Sequence, residues 1–482
     1  LIKWAENADE AVVYSASQEG LIANGYRALN IPSLKKSVND KQSNTRPLAN
    51  DSPVRMRLQL EQAANSVGAR SLQSLRPSWY RQRETLRAIK ALSQRADIAI
   101  AEPNYYRYST AMPSDTGYLN QDHYNTIKLP AAWDITTGNA NVIVAVIDTG
   151  VFLAHEDFAG KLVSGYDFIS DTSYSKDGDG IDSNPDDPGD GSTISNSSWH
   201  GTHVTGTVAA ATDNNTGVAG VGWDTRVMPL RVLGKDGIGS SYDVMQAMRY
   251  AARLNNDSGT RPNQAVDIIN LSLGANESSQ LEQALVTQIR NLGITIVAAA
   301  GNDGNSRLSY PASYNGVISV GATNVSGTLH ASYSNSNEKV DIAAPGGDGA
   351  CGINSGILST FVRSQLSNRA STYQYLCGTS MATPHVSGVI ALMKAAYPSL
   401  TPQDFDDLLA NGSITGISNR SNDLGYGLVN ADLAVTAANN LNTDPTITPV
   451  PALQASPDNI DLGTNEETTV TVTNTNSAAP LN

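Results

Sequence analysis

Three short, largely apolar runs constrain this chain more than any other feature. Residues 142–147 read Val-Ile-Val-Ala-Val-Ile, and residues 268–273 and 294–300 read the same way. A strand that is apolar on successive residues has no face to offer to water, so it belongs in a sheet covered on both sides. Around these runs lie stretches with helical spacing at 203–211, 242–254 and 279–292, and helical sequence resumes at 380–396 and 401–409. Strand then helix, repeated, predicts an α/β fold of three layers with a mainly parallel sheet in the middle. In such sheets the chemistry gathers beyond the carboxyl ends of the strands.

At 482 residues the chain exceeds one ordinary core, which predicts two or three domains. Charge is unevenly spread along it. Residues 53–95 carry nine basic residues against Glu61 and Glu84, whereas the chain after about residue 140 is acid-rich. β-like runs at 11–15, 54–60 and 98–100, with helical sequence at 84–92 and a polar loop at 35–50, read as a small α+β domain over 1–110. The α/β domain then spans 111–440. Residues 441–457, rich in Thr, Pro and Asn, read as a linker. The alternation Thr468-Thr469-Val470-Thr471-Val472-Thr473 predicts a half-buried strand, so 458–482 reads as the truncated start of a β-sandwich.

The net charge of −14 argues against a nucleic-acid binder as the chain's overall character. No run of about 18 apolar residues is present to span a membrane. Two cysteines, Cys351 and Cys377, leave two readings open: one bridge, worth about 3 kcal/mol by loop closure, or two buried thiols. The chain opens on Leu1-Ile2-Lys3-Trp4 without a leader, which is compatible with a leader already removed.

Three segments carry chemistry. Val144-Ala145-Val146-Ile147-Asp148-Thr149-Gly150 delivers a carboxylate at the end of a buried strand. His200-Gly201-Thr202-His203 opens a helix with an imidazole, and Gly378-Thr379-Ser380-Met381-Ala382-Thr383-Pro384 opens another with a hydroxyl. A serine hydroxyl is a weak nucleophile until an imidazole takes its proton, and the imidazole needs a carboxylate to hold its tautomer and its cation. Asp, His, Ser is one of the chain orders in which that geometry occurs. Ser380 at a helix N-terminus also has a free backbone N–H for a developing oxyanion. A second donor is read in Ala298-Ala299-Ala300-Gly301-Asn302, where a strand ends in an amide side chain. Pro384 is assigned to the first helical turn, whose amides have no intrahelical partner.

From about Gln121 to Ala437 the chain resembles the subtilisin family of serine peptidases. The resemblance implies a three-layer subtilisin-like fold with Asp148, His200 and Ser380 as the triad and Asn302 in the oxyanion hole. It implies substrate pairing along Ser272-Leu273-Gly274 and, across the cleft, Gly237-Ile238-Gly239, with Ala300 and Gly301 beside them. Residues 91–108, including Ala101-Glu102-Pro103-Asn104, are similar to the end of that family's inhibitory propeptide. This implies a proenzyme that cuts itself between Tyr108 and Ser114, with protein or peptide substrates and its own propeptide as inhibitor. A secreted monomer is the corresponding expectation. Small residues near the cleft, with Ser309, point to a roomy primary pocket for large apolar or aromatic side chains. Thr205 stands where the family carries a small Ala, and crowds the helix packing.

Other readings fare worse on the residues. Asp148-Thr149-Gly150 and Asp257-Ser258-Gly259 could pair as in an aspartic peptidase, but Asp257 follows Arg253-Leu254-Asn255-Asn256, which is no apolar strand. The Ser380 segment lacks the last Gly of a nucleophile elbow. His200 and His203 are not spaced i, i+4 around a Glu as in a zincin. His203, His123, His155, His330 and His385 read as structural. A non-catalytic binding or adhesion protein on a dead peptidase scaffold is the alternative from another class.

The Gly-rich loop carrying Asp177, Asp179, Asp182, Asp186, Asp187 and Asp190 gathers carboxylates that repel unless a hard cation screens them, which predicts calcium. It lacks the twelfth-position Glu of an EF-hand, and resembles an insert in secreted bacterial members of the family. Asp157 matches a family calcium ligand, although the partner loop at 213–218 is one residue short.

Overall fold

In this computed structural model the described residues are 112–349, 351–365 and 368–443, together with Ile2–Trp4, Tyr26–Arg27, Lys90, Ile98–Ala101, Leu453–Ser456 and Thr471–Asn474. The chain divides into two compact units, Leu1–Tyr108 and Ser109–Asn482. In the first, Ile2–Trp4 pairs antiparallel with Tyr26–Arg27 on one side and Ile98–Ala101 on the other. The strands read at 11–15 and 54–60, the loop at 35–50 and all of the 84–92 helix except Lys90 lie outside the described residues.

The second unit is built on a seven-stranded parallel sheet. Its strands are β1 (Ile143–Asp148), β2 (Tyr166–Asp167), β3 (Arg226–Arg231), β4 (Ile268–Leu271), β5 (Thr295–Ala299), β6 (Val317–Thr323) and β7 (Ile342–Pro345), in the order β7-β6-β5-β4-β1-β3-β2. Every pairing is parallel. The order reverses at β1, so the crevice of the sheet opens at that strand's carboxyl end. The α/β expectation holds.

Period-two alternation explains why the strand runs are apolar throughout. Ile143, Ala145 and Ile147 point into one core with Val244, Ala247 and Met248 of α5 and Leu285, Val286 and Ile289 of α6. Val144 and Val146 point into the other core with Val204 and Val208 of α4 and Val386, Ile390 and Leu392 of α7. The helices are α1 (Asp122–Thr126), α2 (Leu129–Trp133), α3 (Thr172–Ser175), α4 (His200–Ala209), α5 (Ser241–Ala251), α6 (Gln280–Asn291), α7 (Thr379–Ala396), α8 (Pro402–Ala410) and α9 (Ala431–Thr443). Helix starts are set by side-chain caps, Ser240 on Asp243 N and Ser279 on Glu282 N, and by a Thr401–Asp404 capping box. Residues Met381 to Lys394 of α7 are all buried, which makes it the central helix.

Two differences from the sequence reading stand out. α9 continues to Thr443, and Leu453–Ser456, inside the stretch read as a linker, pairs antiparallel with Thr471–Asn474. The chain between β7 and α7 makes a long antiparallel hairpin, β8 (Ile357–Gln365) with β9 (Asn368–Leu376), which the sequence reading left without structure. Cys351 and Cys377 are disulfide-bonded across its base, Cα atoms 5.4 Å apart. The hairpin lies on α4, where Thr360 Oγ1 and Ser359 Oγ donate to the carbonyls of Thr202 and His203 at 2.8 Å each. A Cβ on Gly206 would stand 2.0 Å from Thr360 Oγ1, so only glycine admits this approach.

Thr205, on the same helix, is wholly buried and its hydroxyl has no hydrogen-bond partner among the described residues. A buried unpaired hydroxyl costs about 1–3 kcal/mol. Thr205→Val keeps the shape and removes the polar atom, and it is expected to raise the melting temperature. A fall in that temperature would show that the hydroxyl is satisfied after all.

Candidate active site

Asp148 ends β1 at the reversal point of the sheet and is fully buried. Its Oδ1 accepts from Thr149 N at 2.8 Å and from His200 Nδ1 at 2.8 Å. His200 is the first residue of α4, and its side chain remains 23% exposed, so the far side of the ring is open to the cleft. Burial alone would push this imidazole down. The Asp148 carboxylate, by charge and by hydrogen bond, with Asp190 and Asp187 adding to it, holds it above its ordinary value.

Ser380 is the second residue of α7. Its Oγ donates to the carbonyl of Ser272 at 3.0 Å, while Ser272 Oγ donates to the carbonyl of Ser380 at 2.9 Å. Behind Ser272, Asn270 Nδ2 donates to its Oγ at 3.0 Å, and Ser387 Oγ on α7 donates to Asn270 Oδ1 at 2.8 Å. Asn270 and Ser387 are both fully buried, and sequence reasoning missed them. Pro384 also needs correction. With α7 starting at Thr379 it is the sixth helical residue, past the first turn, and it cannot donate to the carbonyl of Ser380. The Ser272 hydroxyl takes that carbonyl instead.

Asn302 Oδ1 accepts from Thr379 N and Thr379 Oγ1, both at 2.9 Å. Its acceptor is therefore occupied and its Nδ2 is turned outward. A Cβ placed on Gly378 would stand 3.5 Å from Asn302 Nδ2 and 3.6 Å from Ser380 N, so the two donor nitrogens lie near one point. An oxyanion at such a point would meet both.

His200, Ser380, Asn302, Ser272, Leu273, Gly274, Gly237, Ile238, Gly239 and Gly301 line one cleft of about 690 Å³. Ala300 does not line it. Ala300 is 1% exposed and donates its N–H to Val320, which turns its side chain inward, and Ala299 lines the cleft in its place. His203, in contrast, is a core residue whose Nε2 faces the carbonyls of Ile357 and Gln374 on both strands of the hairpin, at 3.0 and 3.1 Å. Burial pushes it down to about 3.

The seven candidate metal carboxylates do not form one centre. Among the described residues no group of three or more His, Cys, Asp or Glu side chains is arranged to hold a metal ion. Asp157 accepts from Asn214 Nδ2 and Val218 N, and Asp186 from Leu153 N, with Arg369 on its other oxygen. Asp177 pairs with the buried Arg231, which also holds Asp167. Asp187 accepts from Thr149 Oγ1 and Gly189 N, and Asp190 from Ser198 N and Oγ. Thr149 Oγ1 in turn accepts from Gly201 N, so Asp187 braces the start of the His200 helix. Asp182 accepts from Asn184 N, and Asp179 stands exposed with its carboxyl raised by the charges of Asp182 and Asp177.

An acid, an imidazole, a hydroxyl and two neighbouring amide donors at the carboxyl edge of a parallel sheet define the class of α/β proteins with a serine-centred site. Within that class the chain belongs to the subtilase family, whose model matches residues 139–432. It is 41% identical to an extracellular protease of Xanthomonas campestris pv. campestris over 74% of this chain and 62% of that one. It is 37% identical to an extracellular basic protease of Dichelobacter nodosus over 72% of this chain and 59% of that one. The chain thus spans less than two thirds of the length of these relatives. A solved structure of a protease from Pseudoalteromonas arctica is similar, with a TM-score of 0.64 and 38% identity, over 68% of this chain and 100% of that one.

The reciprocal Ser272–Ser380 bonds yield a measurable expectation. Ser272→Ala strands the Ser380 carbonyl beside Pro384, and should cost about 1–3 kcal/mol in denaturant unfolding. An unchanged midpoint would mean that water replaces the hydroxyl.

Proposed function

We propose that this chain is a secreted serine endopeptidase that opens peptide bonds through an acyl-enzyme. The observation that carries the reading is the 2.8 Å bond from His200 to the buried Asp148 in the cleft that Ser380 and Asn302 also line. Ser380 Oγ exchanges its bond to the Ser272 carbonyl for one to His200 Nε2 and attacks the scissile carbonyl carbon as the proton passes to the imidazole. Catalytic hydrogen bonds are often made only once substrate is present. The oxyanion is received between Ser380 N–H and Asn302 Nδ2, and Asp148 stabilises the imidazolium. His200 then gives its proton to the departing amine, and water, deprotonated by the same ring, releases the acid.

Secretion is supported by the extracellular relatives, and no described helix is long and apolar enough to cross a membrane. The N-terminal region acting as a self-cleaved inhibitory propeptide is part of this reading. It is supported by the basic charge of residues 53–95 against the acidic remainder, and the N-terminal sequence of the active protein tests it. For calcium, the mutually repelling Asp179 and Asp182 are the part of the loop that would gain most from a cation. Excess chelator is expected to lower the melting temperature, and an unchanged curve would remove calcium from the loop.

A fluorophosphonate probe should label the protein and fail to label Ser380→Ala; an unlabelled active-form protein would sink the peptidase reading. The acid limb of kcat/KM should lie above that of an ordinary histidine, because the base must be neutral and Asp148 holds His200 protonated to higher pH. In Asp148→Asn the limb moves to lower pH, since burial then acts without the opposing charge, and kcat falls by about 10⁴-fold. A limb that stays in place would release Asp148 from this role.

A further inference from the structure

One backbone conformation beside the site is unfavourable for the residue that adopts it. Trp199, which precedes His200, lies in the left-handed region at φ 48° and ψ 33°. There the Cβ of an L-residue crowds the neighbouring carbonyl, and the region is left mostly to Gly, Asn and Asp. Trp199 is the only aromatic residue with positive φ among the described residues. Such a conformation persists only where the surroundings enforce it, and enforcement of this kind gathers at functional sites.

The enforcement is visible around the indole. Trp199 is 1% exposed and the largest fully buried side chain among the described residues. It forms a small cluster with Phe152, from the turn after β1, and Val362 of β8, and Phe361 and Ile194 pack against that cluster. A Cβ on Gly189 would stand 3.3 Å from Trp199 Cη2, so the ring also reaches the acidic loop. The residues on either side are tied down separately. Ser198 N and Oγ donate to Asp190 at 2.6 Å each, and Gly201 N donates to Thr149 Oγ1 at 3.0 Å. No side chain caps α4, whose first intrahelical bond runs from His203 N to the Trp199 carbonyl at 3.1 Å. The buried indole takes the place of a cap. The dihedral angles at residue 199 set the direction in which the chain enters His200, and hence where Nδ1 meets Asp148 Oδ1 at 2.8 Å. Ser198 and His200 line the cleft and Trp199 does not, so the ring lies apart from bound substrate.

We propose that Trp199 is a positioning residue: its indole, anchored among the turn after β1, the hairpin and the acidic loop, imposes the left-handed turn that presents His200 to Asp148 and Ser380. This rests on the endopeptidase reading and deepens it. The consequence is an inverted ranking of small side chains at this position. A packing role alone makes Gly no better than Ala, because Gly leaves the larger void and the looser chain. A role through the backbone makes Gly and Asn better than Ala, because they adopt the left-handed turn without the anchor and Ala resists it.

The test measures kcat and KM on one peptidyl p-nitroanilide for the matured wild type and for Trp199→Phe, Trp199→Gly, Trp199→Asn and Trp199→Ala, with rates normalised to folded protein by circular dichroism. Trp199→Ala is expected to lose about 100-fold in kcat with KM held within about twofold, as a small displacement of the base would cause. Trp199→Gly and Trp199→Asn should keep about tenfold more kcat than Trp199→Ala, and Trp199→Phe, which still fills the pocket, most of the wild-type rate. The acid limb of kcat/KM should move to lower pH in Trp199→Ala, where the contact with Asp148 is loosened. Should Trp199→Ala not fold, Trp199→Leu against Trp199→Asn asks the same question, since Leu keeps apolar volume and Asn keeps the turn. Gly at or below Ala, or Leu ahead of Asn, overturns the proposal, as does a loss confined to KM or an acid limb that stays in place. A wild type that cleaves and takes the fluorophosphonate label while the variants follow packing order overturns the positioning role alone. A wild type that does neither overturns the endopeptidase reading and this proposal with it.

Discussion

A carboxylate held out of water at the end of a parallel strand is the constraint from which the rest of the site follows. Asp148 is 0% exposed, and a buried charge is tolerated only with partners. Both partners of Oδ1, Thr149 N and His200 Nδ1, are supplied by the turn that follows β1 and by the first residue of α4. The helix can therefore start in only one place. A Cβ on Gly201 would stand 2.2 Å from the Gly150 carbonyl and 3.1 Å from Asp148 Cβ, so the residue after the histidine has to be glycine. The spacing of His200-Gly201 after Asp148-Thr149-Gly150 is thus a packing requirement before it is a chemical one.

That coupling explains how much of the site could be read from the chain. Asp148, His200, Ser380 and Asn302 each sit where a strand ends or a helix starts, and such places carry short motifs that survive without knowledge of the fold. The parallel sheet was equally legible, because strands covered on both faces must be apolar throughout. What stayed hidden depends on contacts between distant segments. Asn270 and Ser387 lie in an otherwise apolar strand and an otherwise buried helix, 117 positions apart, and only their 2.8 Å bond shows that they act together. The hairpin of β8 and β9 was hidden because its outer strand is only partly buried, and its residues show no clean alternation. Pro384 was misplaced because the reason for tolerating a proline past the first turn lies in Ser272, over a hundred residues earlier.

The acidic loop shows the limit of composition most clearly. Closely spaced aspartates in sequence imply repulsion, and repulsion implies a cation. In space the carboxylates fan apart, and most are met by groups of the protein itself: Arg231 at the end of β3, Arg369 on the hairpin, and backbone or hydroxyl donors elsewhere. Burial pushes Asp187 up to about 7, yet it accepts from Thr149 and so reaches the His200 helix. Negative charge in the same loop, from Asp190 and Asp187, also contributes to the field that keeps the imidazole above its usual value.

The reciprocal bonds between Ser272 and Ser380 bring these strands of reasoning together. Each serine donates its hydroxyl to the other's carbonyl, and one of the two is the proposed nucleophile. When the Ser380 hydroxyl turns to the imidazole, one bond of the pair is given up and the other remains. The remaining bond is the one Pro384 makes necessary, since no helical N–H can replace it. It is backed by Asn270 and Ser387 from within the core. The hydroxyl is thus free to leave its carbonyl while the backbone that carries it stays anchored to the strand along which substrate would lie. A proline in the second turn of the central helix, which looks like a defect in an isolated helix, would give the proposed nucleophile a fixed base and a movable tip.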